Sequence, residues 1–304
     1  MKTEIKYLAS VVVPTFNDSK RLLLLIKSLE SQTCTDFEII IVDDGSTDNT
    51  EEAIETLKIK SKIQINYFYL PNTKIFGAGI ARNFGAKKAK SNILIFLDQD
   101  NVADKKLIEN HINEQKKCDI VLGYCAGYGN KKRAYKFEGL KKYVEEKEQI
   151  KIIIPEFRDQ IFNNPKKYLH ESWKYFASGN FSIKKDLFIK FLFDEKIIKW
   201  GGTDIDLGYR LFKKDNFPIF SKKCLSYNSS DKPLLNYEKF LSSMNVLSYL
   251  FNKYKTEEMK NYCFERFYYT PFRIKRNSKL VYKNEKFIFI ESTKVKMNMI
   301  NLEK

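Results

Sequence analysis

Apolar residues in the first third of the chain fall into short continuous runs separated by stretches with helical spacing. Residues 8–14 form a run closed by Pro14 and predict a buried strand. Leu22, Leu25, Ile26 and Leu29 then repeat at the spacing of one helix face, predicting a helix over 19–31. Phe37 to Val42 is a second buried strand, stopped by Asp43-Asp44-Gly45-Ser46. Thr50 to Leu57 predicts a helix with Asp48 or Thr50 available as its cap. Ile63 to Leu70 alternates like a strand, Ile80 to Lys90 predicts a helix, and Asn92 to Leu97 is a fourth apolar strand. Strands alternating with helices, with no hairpin signal between them, specify an α/β fold. The sheet is expected to be mostly parallel, with helices on both faces.

The pattern loosens further on. Asp119 to Leu122 predicts a short strand, and the charged stretch from Lys131 to Lys151 predicts a loop plus a helix. Phe176 to Ile183 returns to strand-like alternation, and Thr203 to Lys213 predicts a short helix. Leu234 to Lys255 is amphipathic, after which basic and aromatic residues dominate. The chain of 304 residues is long enough for one large α/β domain or two smaller ones.

Composition changes the picture in a few respects. A formal charge of +16 favours anionic partners such as nucleotides, acidic glycans or phospholipid surfaces. Nucleic acid is not expected, because the basic residues form no helix-turn-helix, ribonucleoprotein or zinc pattern. Five cysteines without a C-x-x-C pair suggest neither a disulfide framework nor a zinc knuckle, and two histidines are too few for a His-rich metal site. Without a leader-like apolar run or a span of 18 apolar residues, the expected location is the cytoplasm.

Candidate chemistry gathers where the predicted strands end. Asp98-Gln99-Asp100 follows the fourth strand, so its carboxylates emerge at the carboxyl edge of the sheet, where open α/β sheets bind ligands. Two acids there repel unless a cation sits between them, and carboxylate oxygens suit Mg²⁺ or Mn²⁺. Asp43 and Asp44 share that edge. They either accept hydrogen bonds from a base and ribose or form an Asx-type turn with Gly45 at positive φ. Pro14 and Phe16 lie at the end of the first strand, where Phe16 either stacks on a base or joins the core. Gly77-Ala78-Gly79 leads into a helix carrying Arg82, a combination that suits a diphosphate or an ordinary helix start with a surface Arg.

Taken together, Pro14-Thr15-Phe16-Asn17, Val42-Asp43-Asp44-Gly45-Ser46, Ala81-Arg82-Asn83 and Asp98-Gln99-Asp100 resemble family 2 glycosyltransferases of the GT-A fold. The blocks Phe176-Ala177-Ser178-Gly179-Asn180 and Trp200-Gly201-Gly202-Thr203-Asp204 look like a galactosyltransferase-type acceptor half. They are similar to the N-acetylgalactosaminyltransferase domain of bacterial chondroitin polymerases. The resemblance implies an inverting enzyme that moves a hexose or N-acetylhexosamine from a UDP-sugar to an acceptor hydroxyl in glycan, surface polysaccharide or glycoconjugate synthesis. It covers roughly residues 8–228 and implies a glycosyltransferase domain over 8–230, with a nucleotide-sugar half at 8–105 and an acceptor half at 106–230; the basic, aromatic extension over 231–304 lies outside it and is expected to be helical.

Carried over residue by residue, Pro14, Phe16, Asp43 and Asp44 would hold the uridine and Arg82 the diphosphate. Asp98 would face the ribose or sugar and share Mn²⁺ or Mg²⁺ with Asp100. Asp204 would be the general base that an attacking hydroxyl requires. Trp200 would be a sugar platform, with Gly201-Gly202 as a mobile turn. Asp206 is either a further acceptor or sugar contact or the acid of a capping box begun by Thr203.

Two positions depart from the family pattern. Thr203 replaces the usual Glu, and Asn228 stands where relatives carry a metal-binding His, with Asp231 nearby as a substitute ligand. These departures motivate the alternative, a catalytically idle relative that binds UDP-sugar or docks partners. In the tail, Tyr262, Phe264, Phe267, Tyr268, Tyr269 and Phe272 mix with Lys and Arg, which suits either a peripheral contact with an anionic membrane or a packed cap.

Overall fold

The computed structural model describes residues 7–71, 77–129, 135–229, 237–268, 279–283 and 286–290. The first half is a run of strands and helices: β1 (Ala9–Thr15), α1 (Ser19–Glu30), β2 (Phe37–Asp43), α2 (Thr50–Lys58), β3 (Gln64–Tyr69), α3 (Ala78–Lys88) and β4 (Ile93–Leu97). β1 pairs in parallel with both β2 and β4, and β2 with β3. The apolar runs are continuous because both faces of this sheet are covered. Val11, Val13, Ile39, Ile41 and Ile95 pack beneath Leu22, Leu25, Ile26 and Leu29 of α1. Val12, Ile40, Val42, Leu94 and Phe96 pack on the opposite face with Ala81 and Ala86 of α3.

The second half supplies β5 (Asn101–Ala103), α4 (Leu107–Glu114), β6 (Ile120–Ala126), α5 (Phe137–Glu145), α6 (Asp159–Asn163), a 3-10 helix over Pro165–Tyr175, β7 (Asn180–Lys184), α7 (Lys185–Phe191), α8 (Thr203–Phe212) and β8 (Ile219–Asn228). The eight strands form one sheet in the order β3-β2-β1-β4-β7-β6-β8-β5. β7 runs antiparallel to β4 and β6, and β5 runs antiparallel to β8. The sheet is therefore parallel in the first half and mixed in the second. β5, α4, α7 and β8 go beyond what the pattern specified. β8 escapes because Lys222 and Lys223 are exposed and interrupt its apolar signal, next to an irregularity in register at Gly123/Tyr124 of β6.

One buried knot ties the second half together. His111 of α4 contacts Ser182 Oγ through Nδ1 at 2.9 Å and Asn180 Oδ1 through Nε2 at 2.8 Å. The Asn180 amide donates to the carbonyls of Tyr124 and Cys224 and to Ser226 Oγ. With the amide hydrogens so committed, Asn180 Oδ1 is the acceptor, so Nε2 carries the His111 proton and Nδ1 accepts from Ser182. Burial holds the imidazole down to about 4.

The extension continues as α9 (Tyr237–Tyr254) and α10 (Glu257–Tyr268), followed by an antiparallel hairpin of β9 (Lys279–Lys283) and β10 (Lys286–Ile290). It is thus not wholly helical. Met244, Val246, Leu247, Leu250, Met259, Tyr262 and Cys263 form one apolar cluster with Trp173, Ile205 and Tyr209, and Phe264 packs against it. Two aromatic residues considered for a membrane, Tyr262 and Phe264, are therefore used in packing. Tyr269 and Phe272 lie outside the described residues, as do the side chains of Phe267 and Tyr268. No helix among the described residues is long and apolar enough to cross a membrane.

Candidate active site

Parallel pairing brings the carboxyl ends of β1, β2 and β4 to one edge, and backbone bonds draw the segments beyond them together. Asp44 N–H donates to Thr15 O at 2.9 Å, and Phe16 N–H donates to Gln99 Oε1 at 3.0 Å. Gln99 Nε2 returns a bond to Phe16 O at 3.1 Å, and Thr15 Oγ1 also reaches Gln99. Gln99, to which the sequence pattern assigns no role, thus latches the acidic triplet to the first strand. Phe16 is 46% exposed at this edge, so it is not core.

The two neighbouring acids of β2 separate in role. Asp43 is fully buried; its Oδ1 accepts Ser46 N–H and its Oδ2 accepts the Tyr67 hydroxyl, both at 2.7 Å. This is the turn-forming alternative, completed by Gly45 at φ 81°. Asp44 is half-buried and accepts Gly77 N–H at 2.9 Å. Burial raises its carboxyl above the usual range. A Cβ on Gly77 would lie 2.2 Å from Asp44 Oδ1, so only glycine allows this approach.

Arg82 projects from α3 and is 5% exposed. Its guanidinium donates to Asp98 Oδ1 and lies 5.5 Å from the centre of the Phe193 ring. Its Nε–H is buried and has no partner among the described residues. Asp98 is further fixed by Gly179, whose carbonyl accepts Asp98 N–H at 3.1 Å.

Asp100 sits where β5 begins, beside the end of β8. Burial and the charge of Asp98 push its carboxyl up to about 6, against the opposing pull of an Asn228 side-chain hydrogen bond and Arg21. Asp98, Asp100 and Asn228 thus offer hard oxygen donors around two mutually repelling acids, a set that fits a divalent ion such as Mn²⁺ or Mg²⁺. No three His, Cys, Asp or Glu residues among those described gather into a metal cluster. Asp231 lies outside the described residues.

A cavity of about 220 Å³ opens beside Asp98. Arg82, Asp98, Trp200, Gly201, Gly202 and Asp204 all border it, so the fold unites residues spread over more than a hundred positions. Asp204 lies in the first turn of α8 and accepts Ser178 N–H at 3.2 Å. Burial raises its carboxyl, although Arg82 and Ser178 pull the other way. Gly201 and Gly202 take φ values of 98° and 78°, and a Cβ on Gly202 would meet Val246 Cγ1 at 2.4 Å. The pair serves conformation and close approach of α9. Trp200 is held from the same helix, with its carbonyl accepting Ser242 Oγ at 3.0 Å and Lys239 Nζ 5.2 Å from its ring centre.

Asp206 is not part of this wall. Gly202, not Thr203, caps α8, so a Thr203–Asp206 capping box does not form. Asp206 is fully buried on the side facing α9. Its Oδ1 accepts Lys253 Nζ and the Tyr254 hydroxyl, both at 2.6 Å, and Arg210 binds its Oδ2 at 2.7 Å. The helical period explains the split: two residues apart on a helix point to different faces. The cavity also includes Tyr128, Phe157, Lys174, Tyr262 and Arg266, which sequence reasoning missed. They come from loops, from the 3-10 helix and from the extension, with no spacing that marks them.

The chain is similar to several known proteins. The Glycosyl transferase family 2 model matches residues 10–191. Validoxylamine A glucosyltransferase of Streptomyces hygroscopicus subsp. jinggangensis (strain 5008) is 30% identical over 220 residues, covering 67% of this chain and 51% of that protein. Chondroitin synthase of Escherichia coli is 29% identical over 227 residues, covering 67% of this chain and 32% of that protein. The chain spans about half the length, or less, of these curated relatives. The crystal structure of S. aureus TarS in complex with UDP-GlcNAc superposes with a TM-score of 0.56 at 19% identity, over 85% of this chain and 71% of that one.

Proposed function

Since the chain belongs to glycosyl transferase family 2, we propose that it transfers a hexose or N-acetylhexosamine from a UDP-sugar to an acceptor hydroxyl, with inversion at the anomeric carbon. The observation that carries this is the common cavity: Asp98 at the donor end and Asp204 at the other side border one space, with Arg82 between their charges. A reaction that joins a nucleotide-sugar to a hydroxyl needs both ends in one place.

In this mechanism Pro14, Phe16 and Asp44 hold the uridine, Phe16 through its exposed ring. Arg82, which borders the cavity, presents its guanidinium charge to a diphosphate oxygen. Asp98, Asp100 and Asn228 would hold Mn²⁺ or Mg²⁺, which supplies positive charge against that growing on the leaving diphosphate. Trp200 positions the sugar face. Asp204 accepts the proton of the attacking hydroxyl; its raised affinity for protons, from burial, suits a base better than an exposed carboxylate would. Asp43 and Asp206 support the site from behind, one holding the β2 turn and the other holding α8 to α9.

A screen of UDP-sugars by UDP release, run with Mn²⁺, Mg²⁺ or chelator across neutral and charged acceptors, tests the assignment. Turnover on at least one donor–acceptor pair is expected. UDP binding without turnover on any pair would instead support the idle relative that Thr203 and Asn228 bring to mind.

A further inference from the structure

Among the described residues, the cavity beside Asp204 is lined by three cations, of which Arg266 alone has no acid paired with it. Arg82 is committed to Asp98. Lys174 is shared between Glu171 and Glu265, at 3.1 and 3.2 Å. Arg266 lines the same cavity with its side chain exposed, and no acid is paired with it among the described residues. Its neighbour Glu265 is turned to Lys174 instead. Arg266 stands one helical turn beyond Tyr262, which also lines the cavity, and its charge acts on that hydroxyl.

A basic residue in the last turn of α10 suits the helix dipole. That role requires no place on a cavity wall. The remaining lining offers Phe157, 47% exposed, and Trp200 as apolar faces for a sugar ring. A guanidinium beside such faces matches a carboxylate or phosphate through paired hydrogen bonds.

We propose that Arg266 is a specificity residue seating an anionic group, a carboxylate or a phosphate, that the acceptor carries close to its attacking hydroxyl. The inference rests on the glycosyl-transfer function proposed above, and it makes the C-terminal extension part of the acceptor site.

The test is calorimetric titration of the full chain, saturated with UDP, using methyl β-glucopyranoside, methyl β-glucuronopyranoside and methyl β-glucopyranoside 6-phosphate. At least one anionic glycoside is expected to bind about tenfold or more tightly than the neutral one, since a charge-assisted pair is worth more than a neutral contact. The two anionic arms tell carboxylate from phosphate. The advantage is expected to fall to within about twofold in Arg266→Gln and to persist in part in Arg266→Lys, which retains the charge. Equal affinity for charged and neutral probes, an undiminished advantage in Arg266→Gln, or no glycoside binding by a protein that binds UDP would each overturn the inference while leaving the donor site standing. A wild-type chain that binds neither UDP nor any glycoside would overturn both.

Discussion

Asp204 and Asp206 lie two residues apart on α8, and replacing each by Asn is expected to produce opposite defects. Asp206 is fully buried, with two cations and a hydroxyl within 2.7 Å of its oxygens. Asn keeps the shape but removes the charge, and its NH₂ must face a donor on one side or the other. Removing one partner of a buried ion pair costs about 3–5 kcal/mol. The side chains of Arg210 and Lys253 are 21% and 27% exposed, so water compensates part of that, leaving about 2–4 kcal/mol. Asp204→Asn loses a charge that faces Arg82 and Ser178, while the amide oxygen still accepts the Ser178 N–H. Its stability is expected to stay within about 0.5 kcal/mol, whereas loss of a general base lowers kcat by about 10²–10⁴, some 3–5 kcal/mol of activation. Urea unfolding, read as a shift in midpoint at unchanged slope, and UDP release at saturating donor measure the two quantities. Full turnover in Asp204→Asn refutes the base assignment. A stable but inactive Asp206→Asn refutes the structural role given to Asp206.

Three further outcomes follow from the geometry. Gly202→Ala forces φ 78° on alanine and drives its Cβ into Val246, so it is expected to destabilise by about 1–3 kcal/mol, with Val246→Ala restoring part of the loss; strict additivity in the double mutant would contradict the clash. The His111 ring is held at about 4 when folded and sits near 6.5 when unfolded, so folding favours the neutral form. Stability is therefore complete above about pH 6.5 and falls as pH drops towards 4, by up to about 3 kcal/mol, whereas His111→Gln is expected to show a flatter profile; identical pH slopes would refute this. Dialysis against chelator is expected to abolish UDP release, with recovery on Mn²⁺ or Mg²⁺ and little recovery in Asp100→Asn; a full rate in chelator would show that no metal is needed.

The donor side is legible because its strands and its chemistry coincide: buried runs stop at polar clusters, so Asp44 and Asp98 are read from where the runs end, and Arg82 from the glycine-led start of a helix. Asp43 and Asp44 were not separable, since adjacent acids look alike until the Tyr67 hydroxyl and the Ser46 N–H claim one of them. The acceptor side was harder to see. Trp200 and Asp204 stood in a block with family resemblance, but Phe157 and Arg266 reach the cavity only through tertiary packing of a loop and of α10. β8 was hidden by its exposed lysines, and the assignment of Asp206 needed the partners that α9 brings.

β4 and β5 are separated by three residues in sequence yet lie at distant places in the sheet order, with β7, β6 and β8 between them. Asp98-Gln99-Asp100 is a tight turn, closed by Asn101 N–H donating to Asp98 O at 3.0 Å, and Gly179 O accepts from both Asp98 N–H and Asn101 Nδ2, so the two strands meet at this point although they stand apart in the sheet order. The closure of this turn sets the stance of both carboxylates. A single-residue insertion there would rotate or retract one acid relative to the other, while the same insertion in an exposed loop would pass unnoticed. Length, as much as composition, is what this triplet has to keep.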